Sequence, residues 1–329
     1  MPDIMLLPEI ATYFDITVDA LLGYEPQLSK EQIQKLYAEL GEDFASLPFE
    51  EAFAKSEALV RKYYSCYLFL LQICVLWLNH YMLAEEKARQ EEILVKLQEL
   101  CNHILENCTN TEICSDVLGI RASVDLFCGR PGEAIEGISN LLNPKRVLNQ
   151  SDWLLIQAYI MNGELEKADS FAQAMLYLHL LLLIGDSTYF LSMHIKEPEI
   201  CAETIARVDV VVKAYHMNEL NPNVTAGYHY QVAVYKAVCG EKEEAVERLQ
   251  KYTELVCSLI RNGMLHGDAY FNKMDSWFEE LDLGTQMPRS KKLVMQSARG
   301  NLDNPVFAEL RGMKEFQKIV KRLEKEIKD

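Results

Sequence analysis

The sequence predicts an all-α protein, and three observations lead to that prediction. Apolar residues recur at helical spacing along most of the 329 residues. Alternating β-branched runs bounded by turn residues, which are typical of strands, are hard to find. The chain has only 15 Gly and 10 Pro, so we expect short loops and abundant regular structure. Its 49% hydrophobic and 25% charged residues are typical of a globular protein with room for one to three domains.

The chain opens with two short predicted helices. The first is defined by apolar residues at helical spacing, namely Ile4, Leu7, Ile10, Ala11 and Phe14. A further turn of helix begins at Thr17 and ends at Gly23, a residue type that favours helix C-termini. Two helices of this size cannot bury their own apolar faces, because a core of fewer than about 40 residues is rarely self-supporting. We therefore expect them to pack poorly or to dock on residues 28–45.

Helix-start signals then follow one another along the chain. Ser29 and Gln32 form a predicted capping box, and Pro48 is followed by acidic residues at the start of the next helix. An apolar helix is predicted over 65–83 and an amphipathic helix over 86–107. Asparagine N-caps followed by proline predict two later helix starts, at Asn221-Pro222 and Asn304-Pro305.

The most apolar run, at 67–78, is shorter than the roughly 20 residues needed to span a bilayer, and we expect it to be a buried central helix. The N-terminus has no basic segment that leads into an apolar one, so no signal peptide is predicted. A cytoplasmic protein with no membrane partner is therefore expected.

Three segments share one pattern, in which a helix ends in Gly and an Ala follows early in the next helix. The pairs are Gly129 with Ala134, Gly163 with Ala168, and Gly240 with Ala245. Glycine permits a left-handed helix exit, and a small alanine lets the second helix pack closely on the first. The first two glycines are 34 residues apart, the period of tetratricopeptide repeats. The last two are separated by about two such periods plus an insertion.

These segments resemble tetratricopeptide repeats, with a generic helical bundle as the alternative. The resemblance implies a solenoid of helical hairpins whose concave surface takes peptides or helices. Counted from the glycines in the family's register, six residues face that surface: Asp116, Ser123, Gln150, Trp153, Gln157 and Tyr230. Polar-aromatic spots at Asn79, His80 and Tyr81, and at 228–230, are further ligand candidates, or else core residues. A groove that only packs against a second copy is the other interpretation.

The opening residues resemble the last part of the lambda-repressor-type helix-turn-helix domain of bacterial Xre-family regulators. The matching residues are Pro2, Asp3, Ile4, Leu7, Ile10, Ala11, Phe14, Ile16, Asp19, Leu21, Leu22 and Gly23. The continuation resembles the sensor halves of Xre regulators with repeat-type C-terminal domains. That family reads DNA with its second and third helices, and residues 1–25 contain no counterpart of them. DNA is therefore expected as a partner only through residues that are missing from this chain.

Charge and motifs argue against nucleic-acid binding and catalysis by the rest of the chain. The net charge is −16, whereas non-specific nucleic-acid binding depends on Lys and Arg. The segment 289–329 is basic, with 11 Lys+Arg against 6 Asp+Glu, and we expect a solvated helix face there. Motifs for zinc hydrolases, P-loops, dinucleotide binding, serine hydrolases and EF-hands are absent. No catalytic residue, cofactor or metal site is predicted.

The nine Cys residues do not change this prediction. Their number is odd, they form no CxxC pair and most lie in apolar helical stretches, as expected for reduced, buried residues. A metal site at Cys101, Cys108, Cys114 and His103 is disfavoured.

The sequence thus predicts a tetratricopeptide-like solenoid preceded by a helix-turn-helix remnant. Residues 1–25 are assigned to the remnant, 26–285 to the sensor and dimerisation domain, and 286–329 to a basic helical tail. The predicted function is the effector-sensing and dimerisation part of an Xre-type transcriptional regulator. A homodimer is expected, with a peptide or small molecule as effector. The alternatives are a protein- or peptide-binding adaptor with no DNA function and, with the least support, a phosphatase-like enzyme.

Overall fold

The computed structural model describes residues 4–16, 18, 21, 27–139, 151–262, 265–285 and 287–328, and within these ranges it contains helices and no strands. The predicted all-α class is therefore confirmed. The chain divides into two compact units, residues 1–145 and 146–329. This division coincides with neither of the boundaries suggested by the sequence, after residue 25 and after residue 285. The roles assigned to those segments stay predictions.

Unit 1 contains seven α-helices among its described residues. They are α1 (Leu7–Tyr13), α2 (Lys30–Ser46), α3 (Phe49–Lys62), α4 (Tyr67–His80), α5 (Lys87–Asn107), α6 (Thr111–Phe127) and α7 (Pro131–Ile138). Short 3-10 helices cover Ile4–Leu6 and Tyr81–Leu83. The predicted capping box at the start of α2 is confirmed, because Ser29 Oγ accepts from the Gln32 amide and Gln32 Oε1 accepts from the Ser29 amide.

Helix α4 is the centre of unit 1, as the sequence predicts. It contacts α2, α3, α5 and α6, and most of its side chains are buried. The one indole in this core, Trp77, donates through Nε1 to Ser56 Oγ at 2.9 Å and packs against the ring of Phe53 at 5.0 Å. The polar atom of a large aromatic residue is thus satisfied within an apolar core, as burial requires.

The first described residues expose most of their apolar side chains. Ala11 of α1 is buried, whereas Ile4, Tyr13 and Phe14 are 74%, 83% and 61% exposed. Several residues of the helix-turn-helix resemblance lie outside the described residues, namely Pro2, Asp3, Asp19, Leu22 and Gly23. The predicted helix end at Gly23 lies outside them too, as does the predicted start at Thr17.

Unit 2 contains nine α-helices among its described residues. They are α8 (Ser151–Met161), α9 (Leu165–Met193), α10 (Pro198–Ala214), α11 (Met217–Leu220), α12 (Pro222–Val238), α13 (Lys242–Asn262), α14 (Met274–Glu279), α15 (Lys291–Asn301) and α16 (Lys314–Lys328). A 3-10 helix covers Pro305–Leu310. Both predicted asparagine caps are present, since Asn221 accepts from the Val224 amide and Asn304 from the Val306 amide.

Helix α12 separates two hydrophobic cores in unit 2. One face contributes Tyr228 and Val232 to a core built with α9, α10, α11 and α14. The other contributes Ala226 and Ala233 to a core built with α13, α15, α16 and the 3-10 helix. The basic C-terminal segment is therefore packed on α13 through its apolar face, with Phe316 buried at the contact. Burial on two sides explains why polar side chains of α12, namely Thr225 and His229, are buried.

The three Gly-to-Ala segments form three helical hairpins with the same turn geometry. The hairpins are α6–α7, α8–α9 and α12–α13, and the glycines have φ of 71°, 78° and 77°. In each turn the glycine amide donates to the carbonyl three residues back, and the next amide donates to the carbonyl five residues back. This is the Schellman arrangement, which requires the left-handed conformation that glycine adopts without strain. The alanines are at most 5% exposed, as close helix packing predicts.

Helix α9 departs from the expected repeat. The sequence suggested two repeat periods plus an insertion between Gly163 and Gly240, but the structure places one helix of 29 residues at the start of this interval. Among the described residues, α9 is also the one helix long and apolar enough to cross a membrane. Its most apolar 18-residue window has a mean hydropathy of 1.5, and 28% of that window is buried. Length and composition alone support that description.

Candidate functional site

The residues predicted to line a groove are distributed over both units. Asp116 and Ser123 lie on α6 in unit 1, where Ser123 Oγ donates to the carbonyl of Gly119 in its own helix at 3.0 Å. Trp153 and Gln157 lie exposed on α8 in unit 2. Gln150 lies outside the described residues.

Tyr230 is half-buried, and its polar atom is bonded within unit 2. Its hydroxyl donates to the carbonyl of Asn301 at 3.2 Å and accepts from Asn304 Nδ2 at 3.1 Å. Its ring packs against Tyr252 and Phe307. The residue thus joins α12 to the C-terminal segment, and this packing role is one that the repeat register did not indicate.

The polar-aromatic spot at the end of α4 has one residue in the core of unit 1, His80, while Asn79 and Tyr81 are half-buried. His80 is 1% exposed, stacks on Phe44 at 4.8 Å and has Nδ1 2.8 Å from the carbonyl of Leu76. Asn79 donates to the carbonyl of Val75 in the same helix. Tyr81 contacts the ring of Phe127 at 5.8 Å. These contacts correspond to the core interpretation of the spot.

Two residues of the other polar-aromatic spot, Tyr228 and His229, belong to a partly buried polar cluster in unit 2. We call Asp209, Tyr228, His229 and Arg248 the Asp209–Arg248 cluster. Asp209 comes from α10, the two aromatic residues from α12 and Arg248 from α13. Tyr228 and His229 are 0% and 4% exposed. The cluster therefore links three helices at a point where α12 is covered on both sides.

A bidentate ion pair between Arg248 and Asp209 is the centre of this cluster. Arg248 donates through its two terminal nitrogens to both carboxylate oxygens of Asp209, at 2.9 Å and 2.5 Å. The hydroxyl of Tyr228 donates to Asp209 Oδ1 at 3.0 Å. Arg248 also lies 3.1 Å from Nδ1 of His229. Paired donors on one carboxylate fix geometry as well as charge, so the cluster holds α10 and α13 in register across α12.

The pKa values of the cluster follow from burial and from this pairing. Burial raises the pKa of the Asp209 carboxyl, but the hydrogen bonds and charge of Arg248 outweigh it and the net pKa lies below its usual value. Burial, aided by the Asp209 charge, raises the pKa of Tyr228. Burial lowers the pKa of His229 to about 4, and the Arg248 charge acts in the same direction. At neutral pH the cluster thus holds one anion, one cation and a neutral imidazole.

The hydrogen bond from Arg248 assigns the tautomer of His229. A guanidinium has donors and no acceptor, so Nδ1 of the imidazole must accept. The proton of the neutral ring then lies on Nε2, which is buried and has no hydrogen-bond partner among the described residues. A buried donor without a partner is costly and rare in native structures. His229 Nε2–H is therefore the donor of this cluster that no described residue satisfies.

A cavity of about 390 Å³ adjoins the cluster. Its lining includes three cluster residues and is completed by Val212, Lys213, His216, Asn218, Glu219 and Lys251. A second cavity of about 410 Å³ continues along α13 and shares Asn218, Glu219 and Lys251 with the first. Oδ1 of Asn218 is also buried without a hydrogen-bond partner in the described part of the chain. The lining can supply hydrogen bonds and positive charge to a small polar or anionic group.

Metal chemistry finds no support within the described ranges, where no group of three or more His, Cys, Asp or Glu side chains is placed to hold a metal ion. The cysteines are free thiols, and Cys74 and Cys101 face one another in the core of unit 1 at 3.9 Å. Burial raises the pKa of Cys74, which keeps the thiol protonated. Comparison of the chain with family models, curated proteins and solved structures finds no match.

Proposed function

We propose that this chain is the effector-sensing and dimerisation part of a bacterial Xre-type transcriptional regulator and acts in the cytoplasm. The observation that carries the proposal is the set of three helical hairpins with one turn geometry, at Gly129, Gly163 and Gly240. Helical-hairpin repeats provide surfaces for peptides and helices. The resemblance of residues 2–23 to a helix-turn-helix domain supplies the connection to DNA.

The Asp209–Arg248 cluster and its cavity are the proposed effector site. A ligand there would contact α10, α12 and α13 together, because all three helices line the cavity. Because the cluster sets the register of these helices, a ligand that binds one register more tightly shifts the population toward it. In a dimer, a small change of this kind alters the spacing of two attached DNA-binding domains and hence the fit to operator half-sites.

A fusion experiment tests the dimerisation part of this proposal. The chain is joined behind a lambda-type DNA-binding domain that occupies its operator only when a partner segment dimerises it. We expect the fusion to repress an operator-controlled reporter, whereas the DNA-binding domain alone does not. Absence of repression, with the fusion accumulating as an intact protein, would contradict the proposal.

A protein-binding adaptor is the second candidate function, and the apolar surface of α8 favours it. Trp153, Leu154 and Met161 are 68%, 62% and 81% exposed. Large apolar side chains in one exposed patch are typical of protein-binding surfaces. A single stoichiometric partner in a pull-down, lost on Trp153→Ala, together with no repression by the fusion, would favour the adaptor.

A further inference from the structure

Between residues 176 and 193, the outer face of α9 exposes six large apolar side chains. They are between 39% and 75% exposed, and they are Leu176, Leu182, Leu183, Tyr189, Phe190 and Met193. Together they present on the order of 700 Å², which is close to the roughly 800 Å² that each partner contributes to a standard protein interface. This area is large enough to support a specific contact.

These side chains share one stripe of the helix. Leu176, Leu183 and Phe190 repeat every seven residues, and Leu182 and Tyr189 form a parallel row beside them. A seven-residue repeat of exposed apolar residues is the pattern of a helix that packs against another helix. We call this stripe the α9 seam.

The opposite face of α9 is already committed to the core of unit 2. Tyr177, Ile184 and Leu191 are at most 1% exposed and pack in the core formed with α10, α12 and α14. The hydroxyl of Tyr177 also accepts from Asn221, the cap of α12, at 2.8 Å. The helix cannot leave this core to enter a membrane without dismantling it, so the seam needs an occupant that binds α9 in place.

Two polar residues lie in the middle of the seam. His179 and Asp186 are both exposed, they are seven residues apart and they lie on the same stripe as the leucines. A carboxylate in the middle of the stripe argues against contact with lipid, because transfer of a charged group into the bilayer costs free energy. An imidazole and a carboxylate are complementary, but on one helix they are separated by two turns.

We infer that a second copy of this chain packs antiparallel on the α9 seam. A two-fold axis at Leu182 and Leu183 pairs these leucines at the centre and brings His179 of each copy level with Asp186 of the other. Both polar residues then find partners, twice, on either side of an apolar centre. A parallel pairing would instead set each carboxylate against its own copy. The pairing of imidazole with carboxylate therefore selects both the occupant and its direction.

This inference rests on the dimerisation part of the proposed function and assigns it a surface. Residues of the seam lie outside the Asp209–Arg248 cluster and its cavity, so variants in the seam leave the proposed effector site intact. The fusion reporter therefore tests whether the chain dimerises, and the seam variants test which surface forms the dimer.

Light scattering after size-exclusion chromatography tests the centre of the seam. In the full chain, the double variant Leu182→Glu/Leu183→Glu is expected to raise the dimer dissociation constant by about a hundredfold, because two carboxylates per copy enter an apolar contact. The matched control is Val210→Glu on α10, an apolar residue of the same unit that is 67% exposed and lies off the seam. It is expected to leave the dimer unchanged. Circular dichroism checks that all variants keep their helix content.

A charge exchange tests the direction of pairing. Asp186→Arg alone sets a cation against His179 and is expected to weaken the dimer by about tenfold. The double variant His179→Glu/Asp186→Arg sets a carboxylate opposite a guanidinium and is expected to restore it. Rescue of this kind requires the two positions to face each other across the interface.

Three results would overturn the inference. A dimer of unchanged strength in the Leu182→Glu/Leu183→Glu variant would place the interface elsewhere and leave the dimerisation proposal standing. A monomeric wild-type chain, together with a fusion that does not repress, would remove both. Flotation of the wild-type chain with phosphatidylcholine–phosphatidylglycerol vesicles, abolished by the same leucine variant, would assign the seam to a lipid surface instead.

Discussion

Replacement of Arg248 by methionine should loosen the α12–α13 hairpin selectively. The substitution keeps much of the apolar stem and removes the guanidinium that pairs with Asp209 and donates to His229. Arg248 is 15% exposed, so its removal leaves a partly buried carboxylate with only the bond from Tyr228. The cluster then holds an anion without its cation.

The size of the effect follows from the exposure of the two partners. Removing one member of a fully buried ion pair costs about 3–5 kcal/mol. The side chain of Asp209 is 38% exposed, so water screens the remaining charge and the cost falls to about 2 kcal/mol. Loss of the hydrogen bond to His229 adds about 1 kcal/mol. We therefore expect a loss of about 2–3 kcal/mol in the free energy of opening.

Hydrogen exchange followed by mass spectrometry measures the free energy of opening separately for each helix. Amides of α12 and α13 should exchange roughly 30- to 150-fold faster in Arg248→Met, and amides of α2 and α3 in the other unit should be unchanged. The double variant Asp209→Asn/Arg248→Met removes the stranded charge and should recover about 1–2 kcal/mol. Equal acceleration in both units, or none in α12 and α13, would refute this account of the cluster.

Three further predictions concern stability. Gly240→Ala should lower the free energy of unfolding by about 1–2 kcal/mol, because its φ of 77° strains any residue with a Cβ, although that Cβ would meet nothing within 4 Å. Gly227→Ala inside α12 has the same free space without the strain and should raise the free energy of unfolding by up to about 1 kcal/mol. Urea unfolding of the two variants measures both changes. His229 has a folded pKa of about 4 against 6.5 in the unfolded chain. As the pH falls from 6.5 to about 4, only the unfolded chain protonates this imidazole, so the free energy of unfolding drops by at most about 3 kcal/mol. His229→Gln should remove this pH dependence. Ser56→Ala should cost about 1–3 kcal/mol and shift the emission of Trp77, whose indole loses its buried acceptor.

The parts of the fold that local chemistry determines could be predicted from the sequence. Gly129, Gly163 and Gly240 occupy left-handed turns because each helix end needs a residue without a Cβ, and that need is visible in a few neighbouring residues. The caps at Ser29 and Asn221 are local in the same sense. The central position of α4 followed from its apolar run at 67–78, which only Gln72 interrupts.

Features that depend on packing between distant segments could not be predicted. Asp209 and Arg248 are 39 residues apart, and nothing near either residue indicates that the two side chains meet. The sequence predicted that Tyr230 lines a groove, but its hydroxyl forms hydrogen bonds with Asn301 and Asn304, more than 70 residues away. The exposed face of α9 could not be predicted, because an apolar helix has the same sequence pattern whether one side or every side is buried.

Sedimentation equilibrium of the unmodified chain tests the central claim most directly, namely that this scaffold is built to bring two copies together. The measurement needs neither a fusion nor a substitution and covers concentrations from about 1 to about 100 µM. If the chain dimerises, the mass rises with concentration to twice the 37.8 kDa of one chain. A mass of 37.8 kDa at every concentration would contradict it.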